Sequence, residues 1–189
     1  MSLDLEPAIE ATDTPPPAVP VEDRKGYELV DGVWKEKSMG NKAATVSSNL
    51  HAVLGPFVRL HRLGRVLLSE GRYCMLPTRA GLLRKPDLSF IAAGRLPNDI
   101  IPDKDLTLAP DLAVEVVSPN DLAVEVETKL DEYLTAGVRL AWVVYVPTRS
   151  VVAFRPDGTA VRRTAADTLD GADVLPGFAV PVAELFDGV

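Results

Sequence analysis

The sequence predicts an α/β protein in which helices pack against a mixed β-sheet. Apolar residues recur at helical spacing between residues 42 and 62, and four runs rich in valine, leucine and aromatic residues follow. A second amphipathic segment lies between the third and fourth of these runs. The predicted order of the core is therefore helix, three strands, helix, strand, with the helices flanking the sheet.

A β-hairpin is predicted ahead of the first helix, in the segment 26–37. Strand-like residues there flank Asp31 and Gly32, a pair that favours a two-residue hairpin turn. The first helix is expected to run from about residue 42 to about residue 62. Pro56 lies inside it and is expected to kink or split it, because proline removes a helical hydrogen bond.

Four strands and a second hairpin are predicted downstream. The strands cover residues 66–76, 87–93, 111–117 and 140–146, and the hairpin covers residues 150–163. The second helix is expected to begin at Ser118 as its cap, with Pro119 and Asp121 favourably placed in its first turn. Because a helix joins the third and fourth strands, we expect these two strands to be parallel.

Length and charge indicate one domain with a terminal tail. The chain has 189 residues, and residues 1–23 carry six acidic side chains, no lysine or arginine, and three consecutive prolines. We expect residues 1–23 to be a disordered acidic, proline-rich tail and residues 24–189 to form the domain. Subtracting the six tail charges from the net charge of −7 leaves −1 for the domain. This near-neutral charge argues against tight non-specific binding of nucleic acid, although local basic patches are compatible with it.

The sequence favours a soluble, cytoplasmic protein that does not enter a membrane. No apolar run approaches the roughly 20 residues that span a bilayer. The N-terminal segment has no basic cluster ahead of an apolar stretch, so we expect no secretory signal. Cys74 is the single cysteine, which excludes an internal disulfide and a cysteine-rich metal site.

Two carboxylates interrupt apolar strands. Glu115 lies in the middle of the third predicted strand, and Asp87 opens the second. Side chains alternate along a strand, so Glu115 faces away from Val114 and Val116. Because an ionised carboxylate is costly to bury alone, each requires a hydrogen bond, a cation or a metal.

Lys129 is the residue predicted to complete this pair. At 100° per residue, it lies about 20° from Leu122, at the edge of the apolar stripe of the second helix, and therefore leans toward the sheet. Two carboxylates and a lysine are the residue types that metal-assisted phosphodiester cleavage needs. The carboxylates hold a divalent cation, which activates water, while the lysine orients or helps deprotonate that water and offsets phosphate charge.

Five segments also carry a family resemblance: YELVDG at 27–32, KPDLSF at 85–90, PDLAVEVVSPND at 110–121, KLDEYLTAGVRLAWVVYVP at 129–147 and VVAFRPDG at 151–158. Together they resemble the Uma-type restriction-endonuclease family of the PD-(D/E)XK nuclease superfamily, over about residues 24–186. The resemblance implies a restriction-endonuclease-like sheet, a Mg²⁺ or Mn²⁺ cofactor and DNA as substrate. It makes Asp87 and Glu115 metal ligands. The superfamily normally has its lysine two residues after the second acid, a position that Val117 occupies here. The family that this sequence resembles uses a lysine from the following helix instead, which maps to Lys129.

Three further groups are candidates for the site. Glu70, in the strand predicted before Asp87, is a candidate third carboxylate, and the backbone carbonyl of Val116 is a candidate metal ligand. Glu28 in YELVDG is interpreted as structural or peripheral, with a position lining the site as the alternative. Four basic residues near the site are candidates for phosphate contacts or for ordinary surface positions: Arg72, Arg79, Arg84 and Lys85.

Each site residue also has a purely structural interpretation. Asp87 can cap a turn, Glu115 can pair with a buried arginine, and Lys129 can be a surface lysine whose stem covers apolar atoms. The preferred function is a metal-dependent endonuclease that hydrolyses DNA, and a homodimer would suit the cutting of two strands. The alternatives are a catalytically silent binding or structural module on the same scaffold, and a hydrolase of another phosphate ester.

Overall fold

A computed structural model describes residues 26–37, 39–79, 81–118 and 121–189, so the predicted tail lies outside the described residues. Helices and strands within these ranges follow the order predicted for the core, with a hairpin on either side of it. Their bounds are β1 Tyr27–Val30, β2 Val33–Glu36, α1 Asn41–Leu60, β3 Gly64–Leu68, β4 Leu88–Ala92, β5 Leu112–Val117, α2 Ala123–Thr135, β6 Leu140–Tyr145, β7 Ser150–Phe154, β8 Ala160–Thr164, β9 Thr168–Gly171 and β10 Leu175–Pro181. Short 3₁₀ helices span Pro97–Asp99 and Val182–Phe186.

The main sheet has six strands in the order β3-β4-β5-β6-β7-β8. Every neighbouring pair is antiparallel except β5 and β6, which are parallel and joined by α2. This confirms the mixed sheet, the order of the core elements along the chain and the parallel pair. Neither α-helix in the described ranges has the length and apolarity that crossing a bilayer requires.

Two local predictions were wrong and a third was wrong in part. Pro56 lies inside α1 without splitting it, and the kink expected there stays a prediction. The strand predicted at 66–76 ends at Leu68, because Gly71 donates its backbone N–H to the Leu68 carbonyl and closes a turn. Finally, α2 begins at Ala123 rather than after Ser118. The Ser118 N–H donates to the Asp121 carboxylate at 2.6 Å. Pro119, assigned to the first turn, lies outside the described residues.

The two faces of the sheet differ in chemistry. Leu112, Val114 and Val116 on β5 pack into the larger apolar core, which includes α1 and the C-terminal hairpin β9–β10. Ala113 belongs to a smaller core on the other face, together with Tyr133 of α2. The face predicted to carry Glu115 is therefore the face that α2 covers.

The hairpin β1–β2 docks beside this second face. Asp31 and Gly32 form its turn with φ angles of 51° and 80°, as a two-residue hairpin turn requires. Leu29 exchanges backbone hydrogen bonds with Leu83, at 3.1 and 2.8 Å. These bonds bring Glu28 close to the segment that leads into β4.

Candidate active site

Asp87 and Glu115 stand opposite each other on neighbouring antiparallel strands. Leu88 pairs with Val114, so the residue before Leu88 faces the residue after Val114. The Asp87 N–H donates to the Val114 carbonyl at 2.9 Å, and the Val116 N–H donates to Asp87 Oδ2 at 2.7 Å. Both carboxylates are buried, with Glu115 only 8% exposed. Like charges opposed in this way repel each other, so cations are needed nearby.

Lys37 supplies the first of these cations. Its Nζ lies 2.8 Å from Asp87 Oδ1 and also donates to the backbone carbonyl of Lys85. Its side chain is 13% exposed although it follows an exposed strand of the hairpin. Sequence reasoning missed Lys37, since nothing in its local pattern distinguishes it from Lys35.

Lys129 supplies the second cation, as its helical phase predicts. Its Nζ lies 3.4 Å from Glu115 Oε2 and 3.2 Å from Glu28 Oε2. The Tyr133 hydroxyl, one turn further along α2, donates to Glu115 Oε1. The structure therefore brings Asp87, Glu115 and Lys129 together on the face of the sheet that α2 covers.

Glu28 joins the site, although the sequence suggested a structural or peripheral position. In addition to Lys129, its carboxylate contacts Arg84 Nη1 at 3.1 Å and accepts a hydrogen bond from the Lys85 backbone N–H at 2.9 Å. Arg84 Nε donates in turn to Glu132 Oε2 at 2.6 Å. The position of Glu28 depends on how the hairpin docks, which its own segment does not reveal.

The basic residues near the site do not form an open phosphate-binding surface. Arg84 and Lys85 are both buried, so the surface position suggested for them was wrong, while their suggested contact with phosphate stays a prediction. Arg79 bonds Glu132 at 2.7 Å, and Arg72 pairs with Asp105 at 2.6 Å. These side chains hold the scaffold together through carboxylates of their own.

Glu70 lies apart from the facing pair in the contacts that the structure describes. It follows β3 in a turn, its side chain is 69% exposed, and it pairs with Lys85 Nζ at 3.1 Å. Its assignment as a third metal ligand stays a prediction without support from these contacts.

Burial and charge shift the titration of the clustered groups. Burial raises the pKa of the Glu115 carboxyl, and Lys129 and Lys37 oppose that rise only in part. Burial alone would lower the pKa of both lysines. Glu115 and Glu28 raise the pKa of Lys129 above its ordinary value of 10.5, and Glu115 and Asp87 do the same for Lys37. The pKa of Glu28 is lowered, since the lysines outweigh its burial. Both lysines therefore carry a positive charge at neutral pH.

A cavity of about 270 Å³ opens beside these groups. Its walls include Glu28, Lys37, Arg84 and Lys129. Four acidic and four basic side chains line the cavity, so its charge is balanced, and Lys37 and Lys129 are among the cationic groups that a phosphate would contact there.

The facing carboxylates suit a hard divalent cation. Asp87 Oδ2 and Glu115 Oε1 are each fixed by a hydrogen-bond donor, while Asp87 Oδ1 and Glu115 Oε2 face lysine ammonium groups. In the described ranges, no group of three or more His, Cys, Asp or Glu side chains is arranged to hold a metal ion. Mg²⁺ is commonly held by one or two carboxylates with waters and substrate oxygens, so a two-carboxylate set fits it.

Comparison with known proteins agrees with this fold. The sequence profile of the family described as "Uma2: Putative restriction endonuclease" matches residues 16–183. No curated protein matches the chain. A crystal structure from Anabaena variabilis, described as "a putative nuclease belonging to DUF820", superposes with a TM-score of 0.73 at 20% identity. The match covers 85% of this chain and 89% of that one, and at this identity it shows a shared fold.

Proposed function

Because the chain belongs to the family described as "Uma2: Putative restriction endonuclease", we propose that it is a metal-dependent endonuclease that hydrolyses phosphodiester bonds in DNA. The observation that carries the proposal is the facing pair Asp87 and Glu115, with a charged lysine beside each carboxylate. The fold shared with the protein described as "a putative nuclease belonging to DUF820" supports it at the level of the scaffold. We assign Mg²⁺ or Mn²⁺ as the cofactor, since both take oxygen ligands.

Asp87, Glu115 and the carbonyl of Val116 would hold the cation. When bound there, a divalent cation activates water and neutralises the charge that develops on phosphate. Lys129 stays protonated at neutral pH, because neighbouring carboxylates raise its pKa. A protonated Lys129 would orient water and stabilise negative charge on the phosphate.

Cleavage of a supercoiled plasmid tests this proposal. We expect nicked and linear products with Mg²⁺ or Mn²⁺, no products with EDTA, and strong loss of cleavage in Lys129→Met. Lys104→Met, which removes an exposed lysine outside the site, is the matched control and should cleave like the wild type. An RNA substrate and a simple phosphodiester, assayed in parallel, separate a DNA nuclease from an RNA nuclease and from a general phosphodiesterase.

A catalytically silent binding or structural module is the second candidate. One observation favours it: Lys37 and Lys129 already balance the charges of Asp87 and Glu115 without a metal. This alternative predicts that calorimetry detects no Mn²⁺ binding to the wild type, and that Asp87→Asn leaves the calorimetric trace unchanged. Binding of Mn²⁺ that is lost in Asp87→Asn would exclude it.

Cutting both strands of a duplex calls for two active sites. We therefore propose a twofold homodimer in the cytoplasm, where cellular DNA is accessible. Light scattering at the concentration of the cleavage assay measures the oligomeric state directly, and a monomer that still makes double-strand breaks would contradict the dimer.

A further inference from the structure

We propose that Lys37 is a built-in counter-cation, which holds Asp87 until a divalent metal displaces it and which then turns toward the bound phosphate. This inference rests on the proposed metal site at Asp87 and Glu115. It assigns to Lys37 a role that differs from that of Lys129, although both lysines lie beside the same pair of carboxylates.

The contacts of Asp87 suggest the oxygen for which the two cations compete. Oδ2 accepts the Val116 N–H at 2.7 Å, and we assign Oδ1 as the oxygen that would take the metal. Lys37 Nζ lies 2.8 Å from that same Oδ1. A divalent ion on Oδ1 would stand within a few ångströms of the ammonium group and repel it strongly in this buried setting. The metal and Lys37 therefore exclude each other.

Lys37 is held in this position rather than reaching it by chance. Its backbone N–H bonds the Gly26 carbonyl at 2.7 Å across the end of the hairpin. Its Nζ also donates to the backbone carbonyl of Lys85, two residues before Asp87. A lysine side chain with two acceptors and little exposure is an ordered part of the site, and its removal must change how the site receives a cation.

The cavity beside the site gives the displaced side chain somewhere to go. Lys37 lines its wall together with Lys129. A long, flexible lysine stem allows the ammonium group to leave Asp87 while the backbone stays in place. In the cavity the ammonium group would meet the phosphate of the substrate, so Lys37 opposes metal binding and favours substrate binding.

Calorimetric titration with Mn²⁺ alone, without nucleic acid, tests the competition. We expect Lys37→Met to bind Mn²⁺ on the order of tenfold more tightly than the wild type, because a competing charge is gone. Lys37→Arg keeps the charge and should bind no more tightly than the wild type. Lys35→Met removes the same charge two residues away, where the lysine pairs with Glu125 instead, and should change affinity by less than about threefold.

The second measurement is DNA binding in Ca²⁺ at saturating metal, followed by fluorescence anisotropy. Lys37→Met should bind DNA several-fold more weakly than the wild type, while Lys104→Met, which changes a lysine outside the cavity, should bind DNA like the wild type. Opposite signs for metal and DNA affinity distinguish the proposed role from simple damage to the fold. If Lys37→Met is unstable, Lys37→Gln is measured in its place, after circular dichroism shows the wild-type spectrum.

Unchanged or weaker Mn²⁺ binding by Lys37→Met overturns the inference. An equal gain of Mn²⁺ affinity in Lys35→Met overturns it too, because it would show that any nearby positive charge has the same effect. Mn²⁺ binding by none of the proteins overturns it as well. If the wild type cleaves DNA with Mg²⁺ while Lys37→Met gains no affinity for Mn²⁺, only the inference about Lys37 fails. If the wild type cleaves nothing, the proposed function fails.

Discussion

The two faces of strand β5 serve different purposes. Leu112, Val114 and Val116 turn toward α1 and are packed entirely in an apolar core. Glu115, between the last two of these, turns toward α2 and is surrounded by charged and hydroxyl groups. One six-residue strand thus separates stabilisation of the fold from the chemistry of the candidate site.

The charged face is expensive in free energy compared with the apolar face. It buries the carboxylates of Glu28, Asp87 and Glu115 against the cations Lys37, Arg84 and Lys129. Desolvation of such pairs often cancels their mutual attraction, and apolar residues of similar volume stabilise a fold equally well or better. A cluster of this kind at the wall of a cavity is therefore better explained by function than by stability.

The largest expected effect is on the charged face. Glu115→Gln keeps the size of the side chain and an oxygen that accepts the Tyr133 hydroxyl, but removes the charge that would hold a metal. We expect cleavage of plasmid DNA to fall by about 100-fold or more, with a thermal midpoint close to that of the wild type. Cleavage within a few-fold of the wild type would show that Glu115 is only a partner in an ion pair.

The matching change on the apolar face should lower stability and leave the cleavage rate nearly unchanged. Leu112→Ala leaves a space in the core against α1 and should lower the free energy of unfolding by about 2–5 kcal/mol. Urea titration measures this loss. The cleavage rate per folded molecule should stay within about twofold, and a large loss of rate at full folding would mean that the two faces are not separable.

A smaller effect is expected from alkaline pH. The pKa of Lys129 is raised above 10.5 in the folded protein, because Glu115 and Glu28 outweigh its burial. Above pH 10.5 the unfolded chain loses this proton while the folded protein keeps it, so the stability that Lys129 contributes declines as pH rises. In EDTA, the unfolding free energy of the wild type should fall more steeply above pH 10.5 than that of Lys129→Met, by up to about 1.4 kcal/mol per pH unit. Parallel slopes would contradict the coupling between Lys129 and the carboxylates.

The smallest effect is expected at Glu70. Its carboxylate is largely exposed and pairs with Lys85 rather than with the facing acids. Glu70→Ala should change the cleavage rate by less than about twofold and stability by at most about 1 kcal/mol. A loss comparable to that of Glu115→Gln would instead make Glu70 the third metal ligand that the sequence suggested.

Local periodicity explains which parts of the site could be predicted. Alternation along β5 and the phase of α2 were enough to place Glu115 and Lys129 side by side, because both depend on short-range geometry. Lys37 and Glu28 could not be placed in the same way. They reach the site only because the hairpin β1–β2 docks through Leu29 and Leu83, a contact that no repeat in either segment reveals.

The same limit applies to the buried ionic contacts and to the start of α2. Glu132 has the pattern of an exposed helical acid, yet Arg84 and Arg79 bury it. Ser118 has the pattern of a helix cap, but its N–H donates to the Asp121 carboxylate and α2 begins at Ala123. In each case a long-range contact or a competing local hydrogen bond decided the outcome.

The most direct test of the account compares the wild type with Asp87→Asn in one plasmid-cleavage experiment at fixed Mg²⁺ concentration. Asn is nearly the same size and keeps an oxygen for the Val116 N–H, so the backbone pairing of β4 and β5 should persist. We predict Mg²⁺-dependent cleavage by the wild type and none by Asp87→Asn at equal folded concentration. Equal cleavage by both proteins would contradict a metal-dependent site built on Asp87 and Glu115.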